Sequence, residues 1–477
     1  VPLREPVDLV PPDQLGALHF IAMGGTGMSG IAIGYHELGI PVSGCDQADS
    51  PTLRHLAAMG IPAHVGHDPA QLDGVSTVVV SSAIKADNPE LVAARRAGLR
   101  VWHRSTALAA LMLGHRTVAV AGTHGKTTTS AMIATMVAAA GADPSYVIGS
   151  PLATTGQSAH IGHGDCFIVE ADESDGSFLQ YPTNIAVITN VEADHLDNWG
   201  SPENYAAGFD RFATAEPVEQ VVVNADDPGA RALAERLRHD PSTTARVITY
   251  GEADDADARL TDIGFSGMTG RAVLSHDGSD HVLNLSVPGR HNVQNAAAAF
   301  VVGKLLGLDE DALGAGATSF AGTHRRFQLL GTAELDGGTV TVVDDYAHHP
   351  TEIAAALSAG RRVAGQGRLV ACFQPHLFSR TLDFADAFGQ ALARADLVVV
   401  TDVYPAREEP IPGVTGELVA DAARAAGARV RYVQDKTALP GELAALVRGG
   451  DLVMTIGAGD ITRAGPALLD RLAGHRP

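Results

Sequence analysis

The chain has 477 residues, 45% hydrophobic and 19% charged, the balance of a globular protein with about three cores at roughly 150 residues per domain. Its formal net charge of −21 excludes broad nucleic-acid binding, which needs a basic face, yet leaves room for a small anionic ligand held by a local loop and a cation. Cys45, Cys166 and Cys372 are odd in number, widely spaced and without a CxxC pair, which predicts a reducing cytoplasm rather than a disulfide framework.

Membrane insertion is not expected, because no apolar run approaches the roughly 18 residues of a span. The stretch "VPLREPVDLVPPDQ" lacks the apolar segment of a signal peptide and reads as a loose arm. Beyond it, short apolar runs alternate with helical patterns. Buried strands are predicted at 18–23, 75–83, 116–122, 166–172, 184–190 and 220–226, and again at 339–345, 368–373, 396–402 and 451–457. Strand–helix alternation means a parallel sheet with crossovers, hence doubly wound α/β. Between 258 and 287, "RLTDIGF", "GRAVLSH" and "HVLNLSV" alternate in polarity between Gly-rich turns, predicting a small antiparallel sheet. Boundaries are expected near 111–115 and 321–326, giving domains 1–113, 114–322 and 323–477.

The first glycine cluster, "HFIAMGGTGMSGIA", places Gly25, Gly27 and Gly30 between a strand and a helix, with Asp46 ending the second strand. That is the spacing of a dinucleotide fingerprint: glycines for the tight turn, a helix N-terminus for a pyrophosphate, an acid for a ribose hydroxyl. NAD and UDP-sugars both offer that chemistry. A simple glycine turn is the bland reading.

The second cluster, "RTVAVAGTHGKTTTSAMIATMV", joins an apolar strand to a helix through Gly122, Thr123, His124 and Gly125. It resembles a phosphate loop shortened by one residue, with Val120 where the first glycine would stand. Loop amides and the helix dipole suit an anion; Lys126 would reach the β/γ phosphates and Thr127 would offer its hydroxyl to Mg²⁺. The chain has only four lysines, Lys85, Lys126, Lys304 and Lys436. Glu170, in "IVEADESDGSF", and His195, in "NVEADHLDNWG", follow strand ends, where α/β sheets place ligands. Carboxylate and imidazole are reasonable Mg²⁺-site ligands, though His is unusual for so hard an ion. Most of Asp172, Glu173 and Asp175 read as a solvated loop, with one in a direct role. In "PGRHNVQNAAAAF", Asn292 and Asn295 share a helix face, where amides can read an adenine edge; N-capping by Asn292 is the alternative. Cys45 reads as a small buried strand residue, or as a thiol close to the first loop.

Together, "GGTGMSGIA" (24–32), "AGTHGKTTT" (121–129), "EADESDGSFL" (170–179), "NVEADHLD" (190–197), "GRHNVQN" (289–295), "THRRF" (323–327), "DDYAHHPTE" (344–352) and "FQPHLFSRT" (373–381) resemble the Mur ligase family over essentially the whole chain. The first and last favour its alanine-adding branch over the muropeptide-recycling and D-glutamate-adding ones. The rival from another class is an NAD-dependent oxidoreductase built on the first cluster.

The resemblance implies a three-domain architecture: a Rossmann-like domain for the UDP-substrate, a central P-loop ATPase domain with the small antiparallel sheet, and a Rossmann-like domain for the amino acid. It implies Gly25, Thr26, Gly27, Met28, Ser29, Asp46 and Ser82 on the UDP-substrate. ATP falls to Gly122 through Thr128, with Thr128 among them, and to Asn292, Asn295, Arg326 and Asp345. Mg²⁺ falls to Thr127, Glu170 and His195. Tyr346, His348, His376 and Arg380 belong to the substrate side, with Arg380 as carboxylate partner. The implied substrates are UDP-N-acetylmuramate and L-alanine, and the implied assembly is a monomer or weak homodimer. Two departures stand out. Ala22 occupies a position where the family usually has glycine, and no lysine between Lys126 and Lys304 can serve as the carbamylated metal ligand of several sister enzymes.

The chemistry needs no enzyme nucleophile. The lactyl carboxylate attacks the γ-phosphate and becomes an acyl phosphate; the amine attacks the carbonyl and phosphate leaves. The expected role of the protein is positioning and charge neutralisation, with Lys126, Glu170, His195, His348 and Arg380 as the catalytic set. A neutral His348 either accepts the ammonium proton or only orients the amine. Closure of the third domain is expected to keep water from the acyl phosphate.

Overall fold

Five α-helices begin on the same signal, a capping side chain followed by proline: Ser50-Pro51, Asn88-Pro89, Ser201-Pro202, Asp227-Pro228 and His349-Pro350. The cap accepts an otherwise orphaned amide, and proline, which has no N–H to lose, starts the helix with its φ already set. At His349 the signal is a full capping box with Glu352. The computed structural model describes residues 6–406 and 408–474, apart from the side chains of Thr26 and Asp197.

Three sheets follow one another along the chain. The first is parallel throughout, in the order Ala63–Val65, Val42–Asp46, Leu18–Ile21, Thr77–Val80, Arg100–His103. This is the Rossmann-like order, with the glycine cluster leaving the central strand. The second has ten strands. At its centre Arg116–Ala121 lies between Ile185–Ile188 and Cys166–Glu170, both parallel to it. The phosphate loop and Glu170 therefore emerge side by side at the carboxyl edge. The third sheet runs Gln328–Leu335, Gly338–Asp345, Leu452–Ile456, Leu369–Phe373, Leu397–Thr401, Val430–Val433, with only its first pair antiparallel.

Every run predicted as a buried strand forms one. The antiparallel expectation for 258–287 needs a correction. Ala258–Ser266, Thr269–His276 and Ser279–Leu285 are successive hairpin strands, but they do not form a separate sheet. Tyr250 pairs with Ala258 and Gly251 with Arg259 in parallel register, so the hairpins extend the ten-stranded sheet.

The described chain divides into two compact units. The first takes in residues up to 261, 273–283 and 294–320; the second takes in 262–272, 284–293 and the residues from 321 onward. Within the first unit, one hydrophobic core runs from Leu18, Phe20 and Ile31 to Val147, Phe167 and Val169, so the first two sheets share an interior. The third Gly of the first cluster allows this: a Cβ on Gly30 would stand 3.3 Å from Val147 and 3.4 Å from Ala159. The second unit has separate cores on the two faces of its sheet, one around Leu357, Phe388 and Ile456, the other around Val342, Val370 and Leu468.

Candidate active site

The strand Arg116–Ala121 delivers the shortened loop to the helix Lys126–Ala139. Two glycines make the turn possible. Gly125 has φ +83°, and Gly122 has φ +135° with a virtual Cβ only 2.1 Å from Thr189 Oγ1. The neighbouring strand end props the loop. Thr189 and Asn190 donate to the His124 carbonyl at 2.6 and 2.9 Å, and Asn190 Oδ1 accepts from the His124 amide at 2.8 Å. The Thr123 hydroxyl reaches the Glu192 carbonyl at 2.8 Å and Tyr205 at 3.0 Å. Asn190 lies within a quoted motif, but nothing in its spacing marks it as the loop's support.

Lys126 curls over the loop it starts. Its ammonium donates to the Gly122 carbonyl at 2.6 Å and the Thr123 carbonyl at 3.1 Å, and it meets Glu173 at 3.0 and 2.8 Å. Burial pushes Lys126 down, but Glu173, Glu170 and Asp172 more than offset that and hold it charged above its ordinary value. Glu173, 1% exposed, is pushed up to about 7 by burial against the pull of Lys126. One helical residue on, Thr127 Oγ1 donates to Glu170 Oε1 at 3.0 Å, while the Gly149 amide donates to Glu170 Oε2 at 2.8 Å. A hydroxyl and a carboxylate held side by side at a helix mouth are hard-oxygen donors of the kind Mg²⁺ prefers, so these residues fit that ion. Thr128 is buried in the same first turn.

His195 caps the short helix Leu196–Trp199 in a left-handed conformation, φ 53°, with its ring 3.6 Å from Asp194. Asn295 faces the phosphate loop: its Oδ1 lies 3.4 Å from a Cβ placed on Gly125. Asn292 is turned to its own chain, donating to the Pro288 carbonyl at 2.6 Å. The two amides, paired by sequence spacing, thus do different things.

The acidic loop after Glu170 is not solvated, and that expectation is corrected. Glu173 pairs with Lys126, Asp172 accepts from Arg104 at 2.5 Å, and Asp175, 7% exposed, accepts from Ser82 at 2.8 Å. Ser82 also meets His103 at 3.1 Å. Burial raises Asp172, but Arg104, Ser174 and Lys126 outweigh it and hold the carboxylate well below its usual range. Arg104 was not foreseen; no motif contains it.

In the first glycine cluster, the Gly24 amide donates to Asp46 Oδ2 at 2.9 Å, so Asp46 holds the loop itself. Gly25 caps the helix with φ −71°, an ordinary conformation. The left-handed position falls instead on Ala22, φ 67°, which gives the physical reason a glycine suits that place. Gly27 lies against Arg104, whose Nη1 is 3.3 Å from a virtual Cβ. Met28 and Ser29 are buried, Met28 in the core, so their side chains face inward, and their amides donate to the Gly25 carbonyl at 3.0 and 2.9 Å. The Thr26 side chain lies outside the description.

In the second unit, Asp345 ends the strand Gly338–Asp345. Its carboxylate accepts from the Phe327 and Ala347 amides, both at 2.8 Å. Burial pushes it up to about 6, with Arg326 opposing. Arg326 lies over the Tyr346 ring, 5.2 Å from its centroid, and 3.7 Å from Glu352. Glu352, also unforeseen, accepts from the His348 amide at 3.0 Å and sits 3.4 Å from its ring. Burial drives His348 down to about 3; Glu352 opposes this, while Arg380 and Arg326 add to it, so the imidazole is neutral. His348 contacts His376 edge-on at 6.1 Å, and His376 stacks on Tyr404 at 5.7 Å. The structure thus brings Tyr346, His348, His376, Arg326 and Arg380 into one cluster.

A glycine loop, a buried lysine and a Thr–Glu oxygen pair at the carboxyl edge of a doubly wound sheet define a nucleotide-dependent enzyme of the P-loop type. Three family models match in succession: "Mur ligase family, catalytic domain" over 17–116, "Mur ligase middle domain" over 120–303 and "Mur ligase, glutamate ligase domain" over 325–459. The chain belongs to the Mur ligase family. It is 61% identical over 473 residues to a UDP-N-acetylmuramate–L-alanine ligase of Cutibacterium acnes, covering 99% of each chain. A ligase of the same name from Streptomyces coelicolor is 47% identical over 464 residues, 97% of this chain and 99% of the relative. The crystal structure of the UDP-N-acetylmuramate–alanine ligase MurC from Thermotoga maritima matches with a TM-score of 0.80 and 28% identity over 96% of this chain and 100% of that one.

Proposed function

We propose that this protein is an ATP-dependent ligase that joins L-alanine to the lactyl carboxylate of UDP-N-acetylmuramate through an acyl phosphate, releasing ADP and phosphate for peptidoglycan precursor synthesis. The observation that carries the reading is the contact between Thr127 Oγ1 and Glu170 Oε1 at 3.0 Å, directly after the loop lysine. It provides the oxygen pair that a magnesium triphosphate requires. The curated relatives are named for the same reaction. The recycling, D-glutamate-adding and oxidoreductase alternatives have no comparable support.

Each residue set has a task. The loop amides of 122–125 and Lys126 hold the triphosphate, and Thr127 and Glu170 hold Mg²⁺, which neutralises charge on the transferring phosphoryl group when bound. His195 completes that set, and Asn295 is assigned to the adenine, with Asn292 shaping the start of the same helix through its bond to the Pro288 carbonyl. Gly25 to Ser29, Asp46 and Ser82 take the UDP-substrate. Arg380 and His376 hold the amino-acid carboxylate, and neutral His348 orients the incoming amine. Arg326 and Asp345 are assigned to the nucleotide, and Tyr346 to the substrate. We read 1–113, 114–322 and 323–477 as the three functional domains, acting in the cytoplasm as a monomer or weak homodimer. No helix among the described residues is long and apolar enough to cross a membrane.

The test is ADP release across a panel of UDP-sugar acids and amino acids, with a separate arm in which hydroxylamine replaces the amino acid to trap the acyl phosphate. Release that requires both UDP-N-acetylmuramate and L-alanine in the arm without hydroxylamine, and a hydroxamate in the other, is the expected result. Release indifferent to the amino acid overturns the reading.

A further inference from the structure

Away from both nucleotide loops, the first sheet gathers four metal-ligating side chains from four different elements. His19 lies on Leu18–Ile21, Cys45 on Val42–Asp46, Glu90 in the first turn of Pro89–Arg96, and His67 in the loop after Ala63–Val65. His19, Cys45 and Glu90 are each 0% exposed. Cys45 Sγ lies 2.8 Å from Glu90 Oε2 and 3.1 Å from His67 Nδ1, which is itself 3.1 Å from Glu90 Oε2. His19 Nε2 lies 3.3 Å from Glu90 Oε1. One donor atom each from His19, Cys45 and Glu90 falls within 4.8 Å of the others. Around them the layer is apolar: Ile21, Val78, Leu91 and Ala94.

Two observations say that hydrogen bonding alone does not explain the cluster. His19 Nε2 and Glu90 Oε1 are fully buried and face each other at 3.3 Å, an ion-pair distance, but without the alignment of a hydrogen bond, although poorly satisfied buried polar atoms cost about 1–3 kcal/mol each. The other ring nitrogen of His19 is 2.9 Å from the Ser43 hydroxyl. A ring with its Nδ1 proton on Ser43 turns the Nε2 lone pair toward Glu90, which is the ligating tautomer. In addition, a buried carboxylate in an apolar layer demands positive charge beside it.

We propose that His19, Cys45, His67 and Glu90 form a binding site for a thiophilic divalent cation, with Zn²⁺ as the ion the donor set suits. Cys45 loses its proton to solvent as the cation binds, and a dication with one thiolate and one carboxylate leaves the site neutral. Tetrahedral ligand bonds of about 2.0–2.3 Å place donors roughly 3.3–3.6 Å apart, so the Cys45–Glu90 pair, now at 2.8 Å, opens most as the cation enters. His67, with a side chain 20% exposed, is the way in from solvent. The site lies directly behind the first glycine loop, because the Cys45 carbonyl accepts from the Met23 amide at 2.8 Å.

Chelator-stripped, full-length protein titrated with Co²⁺, without nucleotide, tests this. One equivalent should develop a thiolate-to-cobalt band in the near ultraviolet, and Zn²⁺ should bleach it stoichiometrically. Cys45→Ser should abolish the band. His67→Gln, at a partly exposed position that tolerates change, should weaken cobalt affinity at least tenfold and covers the case in which the serine variant fails to fold. A wild-type protein without the band, a band that survives Cys45→Ser, or unchanged affinity in His67→Gln each overturns the proposal.

Discussion

Replacing Lys126 with methionine separates what the loop lysine does for folding from what it does for turnover. Its ammonium is the counter-charge of Glu173, which is 1% exposed and has contacts at 2.8 and 3.0 Å. Removing one partner of a buried pair costs about 3–5 kcal/mol, because the other charge is left behind. The Lys126 side chain is 15% exposed, so the lower figure of about 3 kcal/mol applies above about pH 8, where Glu173 is ionised, or roughly 5 °C in melting temperature for a unit of this size. The double variant Lys126→Met, Glu173→Gln removes the stranded charge and should recover at least about 2 kcal/mol of that loss, while turnover stays abolished in both. UDP-substrate binding should survive in both.

Urea unfolding followed by tryptophan fluorescence is the assay. The chain has two tryptophans, Trp102 and Trp199, both in the first unit, and the Trp199 indole donates to the Glu173 carbonyl at 2.9 Å. The pH dependence carries a definite sign. Burial lifts the folded pKa of Glu173 from 4.5 to about 7, so the native protein holds a proton that the unfolded chain releases. Stability falls as pH rises from 4.5 through 7, and Lys126→Met should extend that fall to higher pH. The double variant should lose this slope. An unchanged urea midpoint in Lys126→Met, or a double variant no more stable than the single, refutes the reasoning.

Three further outcomes are expected. Ala22→Gly should stabilise the first unit by about 0.5–1 kcal/mol, since L-residues pay roughly 1–2 kcal/mol in the left-handed region and glycine returns part of that as chain entropy; an unchanged urea midpoint would mean that φ 67° carries no strain. His348 should stay neutral on acidification: its folded pKa is lowered from 6.5 to about 3, so only the unfolded chain takes up a proton and stability drops as pH falls through 6.5. His348→Gln should flatten that drop in a pH series of denaturation curves and lower kcat at least 100-fold if the ring is the base. Arg380→Ala should raise KM for L-alanine by roughly 10- to 100-fold, the worth of a charged hydrogen bond, with KM for ATP little changed; equal effects on both would place Arg380 elsewhere.

Much of this architecture was written in local patterns. The buried strands announce themselves as apolar runs, and the shortened loop keeps glycine at both left-handed positions, 122 and 125. Strands that pair at sheet edges escaped notice because they are short and weakly apolar: Ala63–Val65, Ser145–Val147 and Ala159–His160. Arg104, Glu352 and Asn190 also escaped, for a different reason. Arg104 works through Asp172 and Asn190 through His124, partners distant in sequence, and spacing along a chain carries no trace of such a pairing; Glu352 sits at the third position of a capping box with His349, a local spacing that marks a helix start and not its place beside the His348 ring. Asp172, Glu173 and Asp175 looked like a wet acidic loop because their neutralising partners come from outside the motif. Asn292 and Asn295 share a helix face but not the same surroundings, Asn292 donating to the Pro288 carbonyl and Asn295 facing Gly125.

Arg104 has a bearing on how the family can be re-engineered. It touches Gly27 of the first glycine loop and grips Asp172, just past Glu170, while Ser82 holds Asp175. A chimera that grafts a foreign first sheet onto this central one severs both grips at once and strands carboxylates in the seam. Swapping substrate recognition between relatives thus requires Arg104, Ser82 and their acidic partners to travel together, as one transplanted patch rather than as a clean domain.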